Sequence, residues 1–170
     1  MLQRHLADGL LTVPAITLGC WRMHQRALDQ VTELLATAIQ HGITFFDHAD
    51  IYGQGQSERI FAEAAGELGL PRESMILQSK CGIRNGYYDS GSRHILDSVD
   101  GILSRLDTDY LDILLLHRPD ALMEPDEIAE AFTTLSSNGK VRHFGVSNFR
   151  PSQTELLQRS LDNELIVNPL

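Results

Sequence analysis

Apolar residues along the chain are grouped in short runs, separated by longer stretches with helical spacing. Apolar runs of about five to eight residues are typical of buried β-strands. The runs predict strands at residues 15–21, 44–48, 75–81, 110–117, 141–148 and 164–169. The chain is therefore expected to be a series of strands that alternate with helices.

The stretches between these runs predict helices over residues 28–40, 57–68, 92–106 and 126–138, with a further helix after Pro151. In the first stretch, Val31 and Leu35 fall on one apolar stripe of a helical surface. Gly42 follows that stretch at the position of a left-handed C-terminal cap. Gly139 directly follows the fourth stretch and would end that helix, so the end signals agree with the periodicity.

The N-terminal residues 1–14 predict a short hairpin, because Asp8-Gly9 is a strong turn signal. Residues 10–13 would form its returning strand, which Pro14 would end. From residue 15 to residue 170, nearly continuously apolar strands alternate with helices. This alternation predicts a parallel sheet covered by helices, either a barrel or a doubly wound sheet. Residues 1–170 fit a single α/β domain.

Ionisable residues stand at the C-terminal ends of the apolar runs. Asp47 and His48 end the second run, and Tyr52 follows shortly after. Lys80 ends the third run and His117 lies at the end of the fourth. Each residue alone has a structural explanation, such as a carboxylate that caps a turn or a lysine that reaches solvent. Because the C-terminal ends of parallel barrel strands meet on one face, we interpret the group as a candidate active site.

The charge pattern limits the kinds of partner. The formal net charge is -9 at pH 7, and the Lys and Arg residues form no basic run. Such a surface repels a phosphate backbone, so we expect no nucleic-acid partner and favour a small uncharged or cationic one. The first residues lack the features of a secretory signal, and the longest aliphatic run, residues 113–116, is too short to cross a bilayer. These observations predict a cytoplasmic protein without a membrane partner.

Two further features are interpreted as structural. Cys20 and Cys81 lie far apart and lack the ligand spacing of a zinc site, so we expect reduced, packed thiols and no metal. The segment GQGQ at residues 53–56 lacks the GxGxxG spacing of a phosphate-binding loop. We interpret it as a flexible turn that leads into a helix.

Several segments together resemble the aldo-keto reductases. The sequence FDHADIYG at residues 46–53, followed by Ser57-Glu58, resembles the DTAxxYG...SE signature of that family. LGCW at residues 18–21, Lys80, LLHRP at residues 115–119 and GKVRHFGVSNF at residues 139–149 are also similar to the family. The residues in these motifs are most similar to those of bacterial members described only as oxidoreductases. The resemblance implies a (β/α)8 TIM barrel of the aldo-keto reductase type.

The resemblance implies a catalytic tetrad of Asp47, Tyr52, Lys80 and His117. Tyr52 would be the general acid. A tyrosine with an unperturbed pKa of about 10 exchanges protons poorly at neutral pH, so the Lys80 ammonium would be needed to stabilise the phenolate. Asp47 would keep Lys80 charged and oriented. His117 would donate a hydrogen bond to the substrate carbonyl.

The resemblance also implies the cofactor NADP(H), which supplies a hydride for the reduction of small-molecule aldehydes or ketones. Ser147 and Asn148 match positions that bind the nicotinamide carboxamide. Trp21 matches a position that lines the pocket. His48 stands where the family usually has a threonine, which changes the local hydrogen bonding and leaves the tetrad intact.

The length of the chain, 170 residues, falls short of a complete barrel of this type, which needs about 250 residues or more. We therefore expect the N-terminal portion of a longer protein, truncated after about six strands. Uncovered edges would favour self-association, and the isolated chain would bind NADPH weakly. Two alternatives are a nicotinamide-binding regulatory module of the potassium-channel β-subunit type and a non-functional truncation.

Overall fold

The computed structural model describes residues 2–169, apart from the side chain of Asp8. The strands are β1 (Gln3–Leu6), β2 (Leu11–Pro14), β3 (Leu18–Gly19), β4 (Phe45–Asp47), β5 (Ile76–Cys81), β6 (Ile83–Arg84), β7 (Tyr87–Tyr88), β8 (Leu111–Leu116) and β9 (Val141–Val146). The helices are α1 (Leu28–Gln40), α2 (Gln56–Glu67), α3 (Ser92–Leu106), α4 (Pro125–Ser137) and α5 (Pro151–Gln158). The predicted alternation of strands and helices is confirmed.

The central sheet has five strands in the order β3-β4-β5-β8-β9, and every neighbouring pair is parallel. This spatial order follows the chain, and each connection between neighbours contains one helix. A doubly wound sheet requires the strand order to reverse at a switch point. The sheet winds in one direction, as a barrel does.

The two faces of the sheet are covered by different elements. On the outer face, strand residues such as Leu77 and Leu114 pack in one cluster with helix residues such as Phe61 and Phe132. The inner face has a separate cluster of strand, hairpin and C-terminal residues, namely Val13, Phe45, Ile113, Leu115 and Ile166. Helices on one face and strand side chains on the other are the layers of a barrel wall.

Several predicted boundaries are wrong by a few residues. The run at residues 15–21 forms only the two-residue strand β3, and the second helix begins at Gln56 instead of Ser57. Residues 164–169 form no regular β-strand. Their main-chain atoms nevertheless pair with β9, where Ile166 N donates to Phe144 O at 2.9 Å and Val146 N donates to Val167 O at 3.0 Å. These hydrogen bonds place the segment beside β9, and Leu165 forms a parallel bridge with Phe144.

Both hairpins differ from the sequence interpretation. The N-terminal hairpin turns through a 3-10 segment, Ala7–Gly9, and its second strand includes Pro14, which was expected to end it. A second hairpin of β6 and β7 was not predicted. Its signal was Asn85-Gly86 between two strand-forming pairs, a favoured two-residue hairpin connection.

A buried carboxylate ties the N-terminal ends of the strands together. Asp112 of β8 accepts hydrogen bonds from Arg72 Nη2 at 2.7 Å, Arg142 Nη1 at 3.1 Å and the backbone N–H of Leu77 at 2.9 Å. The ring of Tyr110 lies 3.8 Å and 3.9 Å from these two guanidinium groups. This charged cluster is at the end of the sheet opposite to Lys80 and His117.

Asp112→Asn should lower the free energy of unfolding by about 3 kcal/mol, because the variant leaves two guanidinium groups without their shared carboxylate. Urea unfolding measures the change. The control is Asp100→Asn, which breaks the solvent-exposed pair with Lys140 and should cost less than about 1 kcal/mol. Equal losses in the two variants would contradict a structural role for the Asp112 cluster.

Candidate active site

The C-terminal ends of the central strands surround one cavity of about 580 Å³ on the inner face of the sheet. Its lining includes the predicted residues Asp47, Tyr52, Lys80, His117, Ser147 and Asn148. These residues come from four different strand ends and one turn, because parallel neighbours bring those ends to the same edge. The structure therefore brings six of the seven predicted site residues together.

Lys80 has a hydrogen-bond partner for each of its three ammonium protons. Its Nζ donates to Asp47 Oδ1 at 2.6 Å and to the backbone oxygen of His48 at 2.8 Å. The third contact joins Nζ to Tyr52 Oη at 3.4 Å. The Lys80 side chain is only 6% exposed, so these contacts fix a largely dehydrated charge.

Gln78 is a site residue that the sequence interpretation missed. Its Nε2 donates to Asp47 Oδ1 at 2.5 Å, on the same oxygen that receives Lys80. Gln78 and Lys80 lie two positions apart on β5, so their side chains share the inner face. That alternation is the signal that could have identified Gln78.

Tyr52 lies on the turn after β4. Its backbone N–H donates to Ala49 O at 3.0 Å, and the N–H of Asp50 donates to Lys80 O at 3.0 Å, which ties the turn to β5. The Tyr52 ring meets the His117 ring edge-on, with centroids 6.0 Å apart. The phenol hydroxyl and the imidazole therefore border the same space.

His117 is an uncharged imidazole at neutral pH. Burial lowers its pKa to about 4, the charges of Lys80 and Arg118 act in the same direction, and Asp47 opposes them. Its Nδ1 is buried without a hydrogen-bond partner among the described residues. A neutral ring carries one N–H donor, which it can offer to a ligand in the cavity.

Ser147 and Asn148 link the ends of β8 and β9. Asn148 has a left-handed backbone, with φ of 62°, and its Nδ2 donates to Ser147 Oγ at 2.8 Å and to His117 O at 3.3 Å. Ser147 Oγ also donates to Pro169 O at 3.3 Å. Their hydroxyl and amide groups present polar atoms beside His117.

His48 is fully buried on the opposite side of β4 from Asp47. Its ring lies edge-on to Phe61 at 4.6 Å, and neither ring nitrogen has a hydrogen-bond partner among the described residues. Burial, with a smaller effect of Lys80, lowers the His48 pKa to about 3. The contact with Lys80 uses the backbone oxygen of His48, so it does not depend on which side chain stands at this position.

Trp21 does not line the cavity, contrary to expectation. Its side chain is 60% exposed, and the Arg22 guanidinium lies 4.8 Å from its ring centroid. Strand β3 ends at Gly19, which does line the cavity, and the chain then enters a turn. Trp21 therefore lies beyond the strand end that borders the cavity, although the resemblance had implied that it lines the pocket.

Neither cysteine is among the residues that line the cavity. Cys20 and Cys81 are free and buried, as predicted, and burial raises the pKa of both thiols. Among residues 2–169, no three His, Cys, Asp or Glu side chains are grouped as metal ligands would be. None of the helices described is both long enough and apolar enough to span a membrane.

Comparison with known proteins identifies relatives along almost the whole chain. The Aldo/keto reductase family model matches residues 15–168. The chain is 42% identical over 164 residues to the uncharacterized oxidoreductase YcsN of Bacillus subtilis, covering 89% of this chain and 55% of that protein. It is 44% identical over 161 residues to the oxidoreductase YdhF of Escherichia coli, covering 89% and 54%. The chain thus spans about half the length of the curated relatives it matches.

Two further similarities bear on function. A crystal structure of an aldo-keto reductase from Klebsiella pneumoniae in complex with NADPH superposes with a TM-score of 0.82 and 32% identity, covering 99% of this chain and 58% of that one. A probable voltage-gated potassium channel subunit beta of Arabidopsis thaliana is 30% identical over 175 residues, covering 100% of this chain and 53% of that protein. The structural match confirms the TIM-barrel fold.

His48→Phe should make the unfolding free energy less sensitive to acid. Because the folded-state pKa of His48 is lowered from 6.5 to about 3, its contribution to stability is present above pH 6.5 and is lost as the pH falls toward 3. The loss amounts to at most about 1.4 kcal/mol per pH unit. Urea unfolding between pH 6.5 and pH 4 should give a shallower slope for the variant. An unchanged slope, equal to that of the exposed control His41→Gln, would contradict the burial of an uncharged imidazole.

Proposed function

The chain belongs to the aldo/keto reductase family, and on that premise we propose that the complete protein reduces aldehyde or ketone carbonyls with NADPH. The observation that carries the proposal is the position of the Lys80 ammonium, which contacts Asp47 Oδ1 and Tyr52 Oη. This is the arrangement that a phenol needs in order to act as a proton donor near neutral pH.

Tyr52 is the proposed general acid. A free phenol gives up its proton poorly at neutral pH. The ammonium of Lys80, 3.4 Å from Oη, would stabilise the phenolate that remains after proton transfer to the substrate oxygen. Asp47, with Gln78 on the same carboxylate oxygen, would hold the ammonium in place.

His117 would orient the carbonyl. Because its pKa is lowered to about 4, the ring stays neutral through the physiological range and can donate one N–H to the substrate oxygen. A hydrogen bond placed there stabilises the negative charge that develops during reduction. The edge-on contact of the His117 and Tyr52 rings would place both donors near the same oxygen.

The cavity would hold the nicotinamide ring of the cofactor. Ser147 and Asn148 line it beside His117, and their hydroxyl and amide groups are suited to a carboxamide. When bound, the cofactor supplies the hydride. The complex of the related Klebsiella enzyme with NADPH supports the phosphorylated cofactor for this protein.

A second candidate function is a nicotinamide-binding regulatory module. The similarity to a probable potassium channel subunit beta favours it. Such a module would need cofactor binding alone, whereas a reductase must also oxidise NADPH in the presence of a carbonyl substrate. Turnover therefore separates the two functions.

Replacing Tyr52 with Phe should lower carbonyl reduction by about 100-fold or more, because the ring remains and the proton donor is lost. NADPH affinity should hardly change. Steady-state kinetics and a fluorescence titration measure the two effects, and Tyr87→Phe, at an exposed residue of β7, is the matched control. Unaltered turnover in the Tyr52 variant would mean that another group donates the proton, whereas no turnover in the unmodified protein would favour the regulatory module.

Ser147→Ala should weaken NADPH binding by about tenfold, since one polar partner of the carboxamide is removed. The exposed Ser152→Ala, at the start of α5, is the control and should bind as the unmodified protein does. Equal dissociation constants for both variants would mean that the nicotinamide lies elsewhere.

A further inference from the structure

The turn that carries Tyr52 has an unusual backbone. Three consecutive residues after the tyrosine are in the left-handed region, with φ values of 58° at Gly53, 55° at Gln54 and 83° at Gly55. Left-handed conformations are uncommon for residues with a side chain. Only Gln54 of the three carries a side chain, and the two glycines adopt this conformation without steric cost. We call residues 52–55 the tyrosine loop, whose position then depends on what packs against it.

Two side chains from other parts of the chain lie directly against the glycines of the tyrosine loop. A Cβ atom on Gly53 would overlap the imidazole ring of His24. On Gly55 it would lie 2.5 Å from Cδ of Arg105. His24 precedes α1 and Arg105 belongs to α3, so the loop is restrained by segments distant in sequence. The GQGQ segment is thus a turn packed against two side chains, and the interpretation of it as a flexible turn is wrong.

Adjacent buried residues of α2 hold both side chains. Ser57 Oγ lies 3.0 Å from His24 Nδ1, and the backbone N–H of His24 donates to the same oxygen at 3.3 Å. Glu58 Oε2 accepts from Arg105 Nε at 2.6 Å. Ser57 and Glu58 are both 0% exposed, so neither pairing is a solvent-exposed surface contact.

Glu58 also connects this arrangement to the strand of Lys80. Its second oxygen, Oε1, accepts from Ser79 Oγ at 2.8 Å. Ser79 precedes Lys80 on β5, and its side chain faces outward while that of Lys80 faces the cavity. One buried carboxylate thereby joins the strand that carries the ammonium to the side chain that packs on the tyrosine loop.

We infer that His24 and Arg105 are positioning residues for Tyr52, which they hold within reach of Lys80 through their contacts with Gly53 and Gly55. The inference rests on the proposed role of Tyr52 as proton donor. The separation of 3.4 Å between Lys80 Nζ and Tyr52 Oη is set by the backbone of the tyrosine loop. Small displacements of reacting groups have large effects on rate.

The charges around Arg105 decide which variants can test the inference. Burial raises the pKa of Glu58 and raises that of Asp50 to about 7, and Arg105 lowers both. Removal of the guanidinium alone would leave a buried carboxylate without its cation. The paired variant Arg105→Ala/Glu58→Gln avoids this and removes the atoms that lie against Gly55, and His24→Ala tests the other contact at a half-buried residue.

The test is tyrosine-ring NMR on the full chain labelled with ¹³C in its tyrosines, of which there are four. Tyr52→Phe identifies the Tyr52 signal. Both His24→Ala and Arg105→Ala/Glu58→Gln should shift or broaden that signal and leave Tyr110 unchanged. The control Asp112→Asn should do the reverse, because Tyr110 packs between the two guanidinium groups that Asp112 holds.

Kinetics give an independent result. In the complete protein, both variants should lower kcat by about tenfold with little change in KM, whereas Asp112→Asn should retain kcat. An unchanged Tyr52 signal in His24→Ala, whether or not the paired variant folds, would overturn the inference. Absence of carbonyl reduction in the unmodified protein would reject the proposed function, and the NMR result would still decide whether the two residues position Tyr52.

Discussion

Lys80 places a positive charge near the C-terminal end of β5, on the inner face of the sheet, where water has little access. Burial of a charge is costly unless the charge is paired and fully hydrogen-bonded. Its partners come from Asp47, from the backbone of His48 and from Tyr52. The parallel register of β4 and β5 brings the carboxylate to the ammonium. The third ammonium proton needs a partner as well, and Tyr52 Oη supplies it. The turn after β4, which carries Tyr52, must therefore lie close to Lys80.

Side chains on both faces of β5 contribute to the position of Tyr52. Gln78 and Lys80 face the cavity and fix the carboxylate and the ammonium. Ser79 faces outward and binds Glu58, which in turn holds Arg105 against the tyrosine loop. The outer helices of a barrel are usually regarded as covering the sheet. Here α2 and α3 also contribute to the position of the Tyr52 hydroxyl on the inner face.

Much of this arrangement could be predicted from the sequence because it depends on local rules. Helical periodicity identified the helices, and the common direction of parallel strands brought Asp47, Lys80 and His117 to one edge; their catalytic roles stay predictions. Long-range contacts could not be predicted in this way. His24 and Ser57 are 33 residues apart, and no periodic pattern pairs them. Trp21 was misplaced because β3 ends early, at a turn whose position depends on packing.

Hydride transfer is the step that separates a reductase from a module that only binds its cofactor. The most direct measurement uses NADPH that carries deuterium at both C4 positions of the nicotinamide. The cofactor is incubated with the complete protein and an aldehyde, and mass spectrometry is carried out on the alcohol. If Asp47, Tyr52, Lys80 and His117 form a reductase site, the alcohol will carry the label on its carbinol carbon. NADPH that binds yet keeps its deuterium, with no labelled alcohol formed, would contradict the account.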